Sequence, residues 1–315
     1  MEKLVRSLHH VTATVTDAQE DLDFYTGALG QRLVKKTVNF DNHHVYHFYY
    51  GNEAGTPGTI MTTFPYKGMG VRVGTKGAGQ ITVTSFSVPA SALGFWRQRL
   101  AQQGIAFRDE GTPFGEEVVR VQDPSGLELR LVGSAADPRP PWVLEDIGAE
   151  RAIRGIHGVS LLVREPAKTI RFLQEMFDAA VVSEGAGATR VGVNGDAPGH
   201  LVEVVRGADA PEAINGLGTV HHVAFAVPDE DAQLRMRDEL IRRGFRVTPV
   251  MDRQYFKSIY FREPNGVLFE IATEPPGFTA DEPLAALGTT LKLPPWEEPH
   301  RAAIEAGLPA VEHAV

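Results

Sequence analysis

The chain has 315 residues, of which 43% are hydrophobic, and its 31 Lys and Arg against 40 Asp and Glu give a formal net charge of −9 at pH 7. This length predicts two domains of about 150 residues each, and the negative charge disfavours nucleic acid and anionic membranes as partners. No apolar run approaches the roughly 20 residues of a membrane span, and no signal-peptide pattern follows the first residues, so we expect a cytoplasmic protein. The lack of cysteine excludes disulfides and thiolate metal sites, and a metal would have to be held by imidazole and carboxylate groups.

In chain order, the predicted elements repeat four times. Each repeat opens with an apolar strand, continues through a polar turn and an amphipathic helix, and ends in about three further strands. The four opening strands align without gaps at His9–Val15, Thr82–Pro89, His157–Val163 and His221–Pro228. Helix N-caps are expected at Asp17, Ser91 and Asp229, because short polar side chains precede the apolar spacing of a helix there.

These repeats predict four modules, near residues 5–66, 78–133, 154–206 and 218–273. We expect a first half at residues 1–133, a Pro-rich linker at 134–153, a second half at 154–278 and a C-terminal tail at 279–315. A module of about 50 to 65 residues is near the lower limit of an independent fold, so modules should pair to bury a sheet face.

The dipeptide His-His followed by valine occurs twice, beginning at His9 and at His221, in the opening strands of modules 1 and 4. Module 4 closes with a turn and an apolar strand that is interrupted by the carboxylate of Glu270. Two histidines and one glutamate on three strands are typical of the facial site with which non-haem Fe(II) enzymes leave positions open for substrate and dioxygen.

Aligning the modules selects the ligands. At the first-strand position the four modules carry, in order, His10, Val83, Gly158 and His222. At the last-strand position, modules 1, 2 and 4 carry Thr62, Arg130 and Glu270. The predicted ligands His10, His222 and Glu270 therefore belong to modules 1 and 4, which have to pair with each other and leave module 2 to pair with module 3.

A second histidine cluster, formed by His43, His44 and His47, matches no ligand position of the repeat. Strand alternation separates His44 from the other two. We therefore expect structural roles for these three side chains.

Four strand-helix-strand-strand-strand modules with histidine on the first strand and Gly-x-x-x-Glu at the last resemble the vicinal oxygen chelate superfamily, which includes glyoxalase I, bleomycin resistance proteins and type I extradiol dioxygenases. Within it, the chain is most similar to the hydroquinone ring-cleaving dioxygenases, the chlorohydroquinone and methylhydroquinone dioxygenase group. The similarity includes the segments Lys36–Asp41, Tyr46–Gly51 and Leu293–Glu297. It implies an α+β fold in which four βαβββ modules form two half-barrel domains.

The resemblance also implies a substrate pocket lined by Arg253, Tyr260, His9, His221 and Thr12. The guanidinium of Arg253 suits a phenolate or a developing oxyanion, and Tyr260 suits proton or hydrogen-bond donation, with His221 as a second group that handles protons. Thr12 shares the strand face of its ligand histidine. Strict alternation places His9 and His221 on the opposite face, so their reaching the pocket requires twist or loop geometry.

Together these features predict an Fe(II)-dependent enzyme that opens a para-hydroquinone ring, with or without substituents, by 1,2-cleavage with O2. The purified protein could instead contain Mn(II) or another divalent ion. Thr62 replaces the second carboxylate of glyoxalase-type sites, which favours oxygenase chemistry over Lewis-acid chemistry. A catechol-type extradiol dioxygenase, a metal-free protein like the bleomycin resistance members and a Lewis-acid enzyme like glyoxalase stay open as alternatives. The chain could also assemble into a homo-oligomer.

Overall fold

The computed structural model describes residues 3–313. Residues 1–2 and 314–315, at the ends of the predicted first half and the predicted tail, lie outside the described range. Each of the four modules has the predicted order of one strand, one helix and three strands. No helix within the described range is long and apolar enough to cross a membrane.

The first two modules have the following elements. Module 1 consists of β1 (Leu8–Val15), α1 (Ala18–Leu22) with a π-helical turn (Asp23–Ala28), β2 (Arg32–Asn39), β3 (Asn42–Gly51) and β4 (Ile60–Pro65). Module 2 consists of β5 (Gln80–Pro89), a 3-10 turn (Ala90–Ala92), α2 (Leu93–Gln102), β6 (Phe107–Gly111), β7 (Glu117–Gln122) and β8 (Glu128–Ser134).

The last two modules repeat the plan. Module 3 consists of β9 (Gly155–Val163), α3 (Pro166–Phe177), β10 (Ala180–Gly185), β11 (Ala188–Gly192) and β12 (Leu201–Arg206). Module 4 consists of β13 (Thr219–Val227), α4 (Glu230–Arg242), β14 (Met251–Asp252), β15 (Lys257–Arg262) and β16 (Leu268–Thr273). The tail contains 3-10 turns at Phe278–Ala280, Leu284–Ala286 and Glu298–His300, and the helix α5 (Arg301–Gly307).

Two of the three expected helix caps are confirmed. Asp17 accepts hydrogen bonds from the first backbone N–H groups of α1, and Asp229 accepts one from Ala232 at the start of α4. The prediction for Ser91 was wrong, because the chain enters a 3-10 turn directly after Pro89 and Ser91 lies inside that turn without a capping hydrogen bond.

The strands form two eight-stranded sheets: one combines the first and last modules of the chain, and the other combines the two middle modules. The first sheet has the order β14-β15-β16-β13-β1-β4-β3-β2, and the second has the order β10-β11-β12-β9-β5-β8-β7-β6. Module 1 therefore pairs with module 4 and module 2 with module 3, as predicted. The two modules of each sheet meet through their antiparallel first strands, β1 with β13 and β5 with β9.

Strand alternation gives each sheet an apolar face and a second face that can carry polar groups. In β1, Val11 and Ala13 belong to the hydrophobic core, whereas His10 and Thr12 face a cavity. Each helix packs against strands of its own module, as α3 does against β12. The helices therefore complete the core, and the cavity face is left for function.

One β-bulge in β1 and one in β13 interrupt this alternation. The pairing register of the two strands skips His9 in β1 and His221 in β13, so each is an extra residue opposite its partner strand. A bulge turns the extra side chain away from its alternating position. Both histidines of each His-His pair therefore lie close enough for contact between their rings.

The tail packs along β2 and β3 of the first sheet. Leu291 forms a backbone bridge with Lys36, and α5 contacts β3. The fully buried ammonium of Lys35 lies 2.6 Å from Asp281 Oδ1 and 2.5 Å from Glu282 Oε2. A buried ion pair thus fastens the tail to this sheet.

Candidate metal centre

The side chains of His10, His222 and Glu270 meet at the centre of the first sheet and are all buried. Glu270 Oε2 lies 2.7 Å from His222 Nε2 and 3.4 Å from His10 Nε2, and the two Nε2 atoms are 3.3 Å apart. Donor atoms at right angles and about 2.1 Å from an ion would be about 3.0 Å from one another. The three observed spacings fit a single metal ion held on one face.

Strand register explains why these residues converge although 260 positions separate the first from the last. In the antiparallel pairing of β1 with β13, Thr12 lies opposite His222, and Ala224 lies opposite His10. Ala224 is also paired with Glu270 in the parallel neighbour β16. The three donors therefore stand on adjacent strands, within one or two residues of the same level.

The polar atoms of the site call for a cation. Glu270 is fully buried; its Oε1 accepts a hydrogen bond from Ser258, whereas Oε2 has no hydrogen-bond partner among residues 3–313. A buried carboxylate oxygen without a partner is costly. Burial alone would raise the pKa of Glu270, but the facing His10 and His222 hold it well below its usual range, so the group is an anion. One anionic oxygen and two imidazoles suit a divalent transition metal.

Each candidate ligand histidine is held from behind by the histidine that precedes it. The Nδ1 atoms of His9 and His10 are 2.9 Å apart, and those of His221 and His222 are 2.7 Å apart. Burial lowers the pKa of both His9 and His221 to about 3, so their rings are neutral and can accept at Nδ1. The ligand ring then carries its proton on Nδ1 and leaves Nε2 free, the arrangement that fixes metal-binding imidazoles.

The open side of the triad faces a cavity of about 270 Å³. Of the five residues that the resemblance placed around a pocket, Thr12, His221, Arg253 and Tyr260 line this cavity. His9 is not among the lining residues; it lies next to His10 at the bulge. Most of the remaining wall is formed by aromatic side chains, namely Phe40, Tyr49, Phe64, Tyr66 and Phe256. A small planar ring is the natural occupant of such a space.

Arg253 and Tyr260 form a polar pair on one side of the cavity. Arg253 Nε donates to the hydroxyl of Tyr260 at 3.2 Å, and its guanidinium lies 3.1 Å from Asp41 at the tip of the β2–β3 hairpin. Burial opposes the charge of Arg253, but Tyr260 and Asp41 together raise its pKa, and it remains a cation. Burial also raises the pKa of Tyr260, whose phenol therefore keeps its proton at neutral pH.

His47 also lines the cavity, a position that the sequence analysis did not predict. Its Nε2 lies 2.5 Å from Thr62 Oγ1, and the Thr62 hydroxyl donates in turn to Thr12 at 3.4 Å. The missed signal is the position of His47 on β3, two residues before Tyr49, which places both side chains on the face that carries the site. His43, by contrast, pairs with Glu297 of the tail at 3.2 Å.

Residues 7–131 and 155–271 match the family described as the Glyoxalase/Bleomycin resistance protein/Dioxygenase superfamily. The chain belongs to this superfamily. It is 44% identical to MhqE of Bacillus subtilis over 96% of this chain and 98% of that protein, which is named as a candidate ring-cleaving dioxygenase. It is also 33% identical to the chlorohydroquinone/hydroquinone 1,2-dioxygenase of Sphingobium indicum, over 92% of each chain.

Solved structures of the superfamily show the same architecture. A crystal structure of a candidate dioxygenase from Bacillus subtilis superposes with a TM-score of 0.93 at 41% identity, and the match covers 98% of each chain. Glyoxalase I from Zea mays superposes with a TM-score of 0.63 at 14% identity, over 85% of this chain and 92% of that one. The second likeness concerns the fold alone.

Proposed function

We propose that the chain is an Fe(II)-dependent ring-cleaving dioxygenase that opens para-hydroquinone, or a substituted para-hydroquinone, with O2 by 1,2-cleavage. The observation that carries this proposal is the buried triad of His10, His222 and Glu270 beside an open cavity with aromatic walls. The relatives named as hydroquinone or ring-cleaving dioxygenases support the same reaction class.

The donor set favours an oxygenase over a Lewis-acid enzyme. Thr62 occupies in module 1 the position that Glu270 occupies in module 4, since Thr62 is paired with Thr12 as Glu270 is paired with Ala224. A hydroxyl bound to His47 replaces a second carboxylate there, and three protein ligands remain. Bound Fe(II) would supply the redox chemistry that lets dioxygen react with an electron-rich ring, and Mn(II) is the nearest alternative for the same donors.

Arg253 would bind and orient the substrate. Its guanidinium is charged, partly buried and directed at the cavity, so it suits the oxygen of a phenolate better than that of a neutral phenol. Substrate oxygen and Asp41 would share the guanidinium, because Asp41 approaches it from the hairpin at the cavity wall.

Tyr260 and His221 would hold the protons that the reaction moves. The phenol of Tyr260 is protonated and oriented by Arg253, so it can donate to an oxygen that gains charge during ring attack. The neutral ring of His221 accepts at Nδ1 from His222, which leaves its own proton on Nε2. Thr12 adds a hydroxyl on the wall between these groups and Thr62.

The test is an oxygen-electrode assay of protein loaded anaerobically with Fe(II). Hydroquinone, methylhydroquinone and chlorohydroquinone are compared with catechol and methylcatechol, and we expect O2 uptake with the para-diols at one O2 for each ring opened. Both atoms of labelled O2 should enter the product, whose mass and connectivity report 1,2-cleavage. The Glu270→Ala variant should lose iron and O2 uptake together.

Each other outcome selects a different function. O2 uptake with catechols alone would select catechol-type extradiol cleavage. Catalysis without O2 by a Zn, Ni or Mn form would select a glyoxalase-like enzyme, and failure to bind any divalent metal would select a metal-free binding protein. Iron-dependent O2 uptake that survives in Glu270→Ala would refute the ligand assignment itself.

A further inference from the structure

His47 occupies, in module 1, the position that Ser258 occupies in module 4. Tyr49 is paired with Thr62 across β3 and β4, and Tyr260 is paired with Glu270 across β15 and β16. His47 and Ser258 each precede their tyrosine by two residues. Each of them bonds the side chain at the last-strand position of its own module, Ser258 to Glu270 and His47 to Thr62.

This equivalence assigns the same task to two different side chains. Ser258 fixes the carboxylate of a candidate metal ligand from behind. His47 likewise fixes the side chain of Thr62. A neutral hydroxyl group is a weaker metal ligand than a carboxylate. The bond from His47 therefore acts on a hydroxyl group that is not one of the three candidate ligands.

The ring of His47 is held rigidly. It lies between the rings of Tyr49 and Phe64, with centroid distances of 4.0 Å and 4.2 Å and interplanar angles of 37° and 38°. Burial lowers the pKa of His47 well below its usual range, and the nearby His10 and Arg253 lower it further. The ring is thus a neutral imidazole with one N–H and with little freedom to turn.

The direction of the hydrogen bonds follows from this. The Thr62 hydroxyl donates to Thr12 Oγ1, so its own oxygen is free to accept from His47 Nε2. A hydroxyl group has a single proton. Once Thr12 accepts from Thr62, its own proton is not needed within the chain of bonds and is available to the cavity that Thr12 lines.

We propose that His47 is a substrate-positioning residue: it donates from Nε2 to Thr62, Thr62 donates to Thr12, and Thr12 presents its hydroxyl proton to an oxygen of the bound aromatic diol. The inference rests on the proposed function for the nature of the substrate. The orientation of the donor chain rests only on the geometry of these three side chains.

The first test reads the tautomer of His47 without substrate or metal. In metal-free, ¹⁵N-labelled protein, the imidazole signals of the 11 histidines are recorded, and that of His47 is assigned as the signal that His47→Gln removes. We expect a neutral ring with its proton on Nε2. A proton on Nδ1 would overturn the donor chain, because Thr62 would then have to donate to His47.

The second test measures binding of hydroquinone to Fe(II)-loaded protein by anaerobic calorimetry. His47→Phe keeps an aromatic ring between Tyr49 and Phe64 but cannot donate, and we expect it to weaken hydroquinone binding roughly 5- to 10-fold, the effect of one hydrogen bond. Iron content should be unchanged. His47→Gln can place an amide N–H near the position of Nε2 and should bind within about 2-fold of the parent.

Two further variants separate positioning from general structure. Thr62→Val should weaken binding as much as His47→Phe, and the double variant should be no worse than either single one, because both remove the same chain. His44→Phe, on the exposed part of the same strand, is the matched control and should bind normally. Equal affinity in His47→Phe and the parent, or equal losses in His47→Phe and His47→Gln, would overturn the inference.

These outcomes remain distinct from failure of the proposed function. If the parent protein binds neither hydroquinone nor catechol, the proposed function fails and the substrate part of the inference falls with it. The donor chain is still decided by the tautomer of His47.

Discussion

The two sheets have the same arrangement of strands, but different side chains meet at their centres. In the second sheet, the positions equivalent to His10 and His222 are Val83 and Gly158, because Val83 lies opposite Ser160 as His10 lies opposite Ala224. Glu203 is paired with Ser160 and stands where Glu270 stands in the first sheet. Arg130 stands where the first sheet has Thr62.

At the second centre, arginine side chains surround the carboxylate. Arg130 Nη1 lies 3.1 Å from Glu203 Oε2, and Arg190 Nη2 lies 2.8 Å from Glu203 Oε1 and 2.6 Å from Glu116. Both oxygens of Glu203 are thus compensated, whereas one oxygen of Glu270 has no hydrogen-bond partner in the described part of the chain. Arginine thus neutralises the buried carboxylate of the second sheet, and a bound metal would neutralise that of the first.

The β-bulges, by contrast, are common to both sheets. The register of β5 and β9 skips Thr82 and His157, the residues equivalent to His9 and His221. The bulges therefore belong to the scaffold and do not depend on a metal. In the second sheet, His157 uses its freed position to bond Glu116 at 3.1 Å, and in the first sheet the same position supports a ligand.

The largest contrast between the sheets is expected from one substitution made at both centres. Glu270→Gln should abolish iron binding and lower kcat by at least about 1000-fold, because the only anionic ligand is lost. Glu203→Gln should retain iron and activity. Metal analysis and O2 uptake check both. A chelator should lower the Tm of the Glu203→Gln protein and of the parent but not that of Glu270→Gln.

The free energy of unfolding should be affected more by the substitution in the second sheet than by the one in the first. Glu203→Gln leaves Arg130 and Arg190 with incomplete compensation and should lower the free energy of unfolding by about 3–5 kcal/mol, as loss of one partner of a buried ion pair does. In metal-free protein, Glu270→Gln should cost less, because it removes a buried charge that has an unsatisfied oxygen. Chemical denaturation of metal-free samples measures both values. An equal cost at the two positions would contradict the contrast drawn between the sheets.

The fold and the three candidate ligands could be predicted from sequence because they depend on a repeat. Gap-free alignment of the modules fixed which residues are equivalent, and three separated ligands permit only the pairing of modules 1 and 4. Module 3 showed the limit of this reasoning. Glu203 follows Gly199 by four residues, as Glu270 follows Gly266, but this signal was overlooked, and the equivalence was recognised from the pairing of β12 with β9.

The neighbours of the ligands were harder to predict. Strict alternation of side chains misplaced His221, which lines the cavity, because a bulge depends on the register between two strands and leaves no mark in the sequence of one. His47 was overlooked because it does not occupy a ligand position, and its role depends on the side chain opposite, Thr62. The tail could not be placed, since the buried ion pair that helps to anchor it joins Lys35 to Asp281, 246 positions away in the chain.

That anchor offers a third test, at the edge of the first sheet. Lys35→Met removes a fully buried ammonium and leaves Asp281 and Glu282 without their cation, so the free energy of unfolding should fall by about 3 kcal/mol. Because the hydroxyl of Tyr255 also donates to Asp281, the loop that carries Arg253 should loosen with the tail. Limited proteolysis should cut the tail faster in the variant. Lys36→Met, at the neighbouring half-buried position, is the control and should resist as the parent does.

The helices of modules 1 and 4 differ at one buried side chain. Asp21 lies four residues after the cap of α1, and Gln233 lies four residues after the cap of α4. Burial raises the pKa of Asp21 from 3.8 to about 8, although Thr63 and Tyr50 both donate to its Oδ2. Between these values the folded protein holds one proton more than the unfolded chain. Its free energy of unfolding should therefore fall as the pH rises from about 4 to 8, by at most about 1.4 kcal/mol per pH unit.

Asp21→Asn imitates the neutral side chain of Gln233 and keeps an oxygen for Tyr50 and Thr63. The variant should lose less stability than the parent between pH 5 and 8, as measured by denaturation at each pH. Asp23→Asn changes an exposed carboxylate two residues further along the chain and should leave the pH dependence of stability as it is in the parent. Burial also raises the pKa of Asp123, to about 6, so a residual slope of the same sign should persist in both variants. A slope in Asp21→Asn as steep as that of the parent would show that the buried carboxyl of α1 ionises as freely as one in water, and that module 1 tolerates a negative charge where module 4 has an amide.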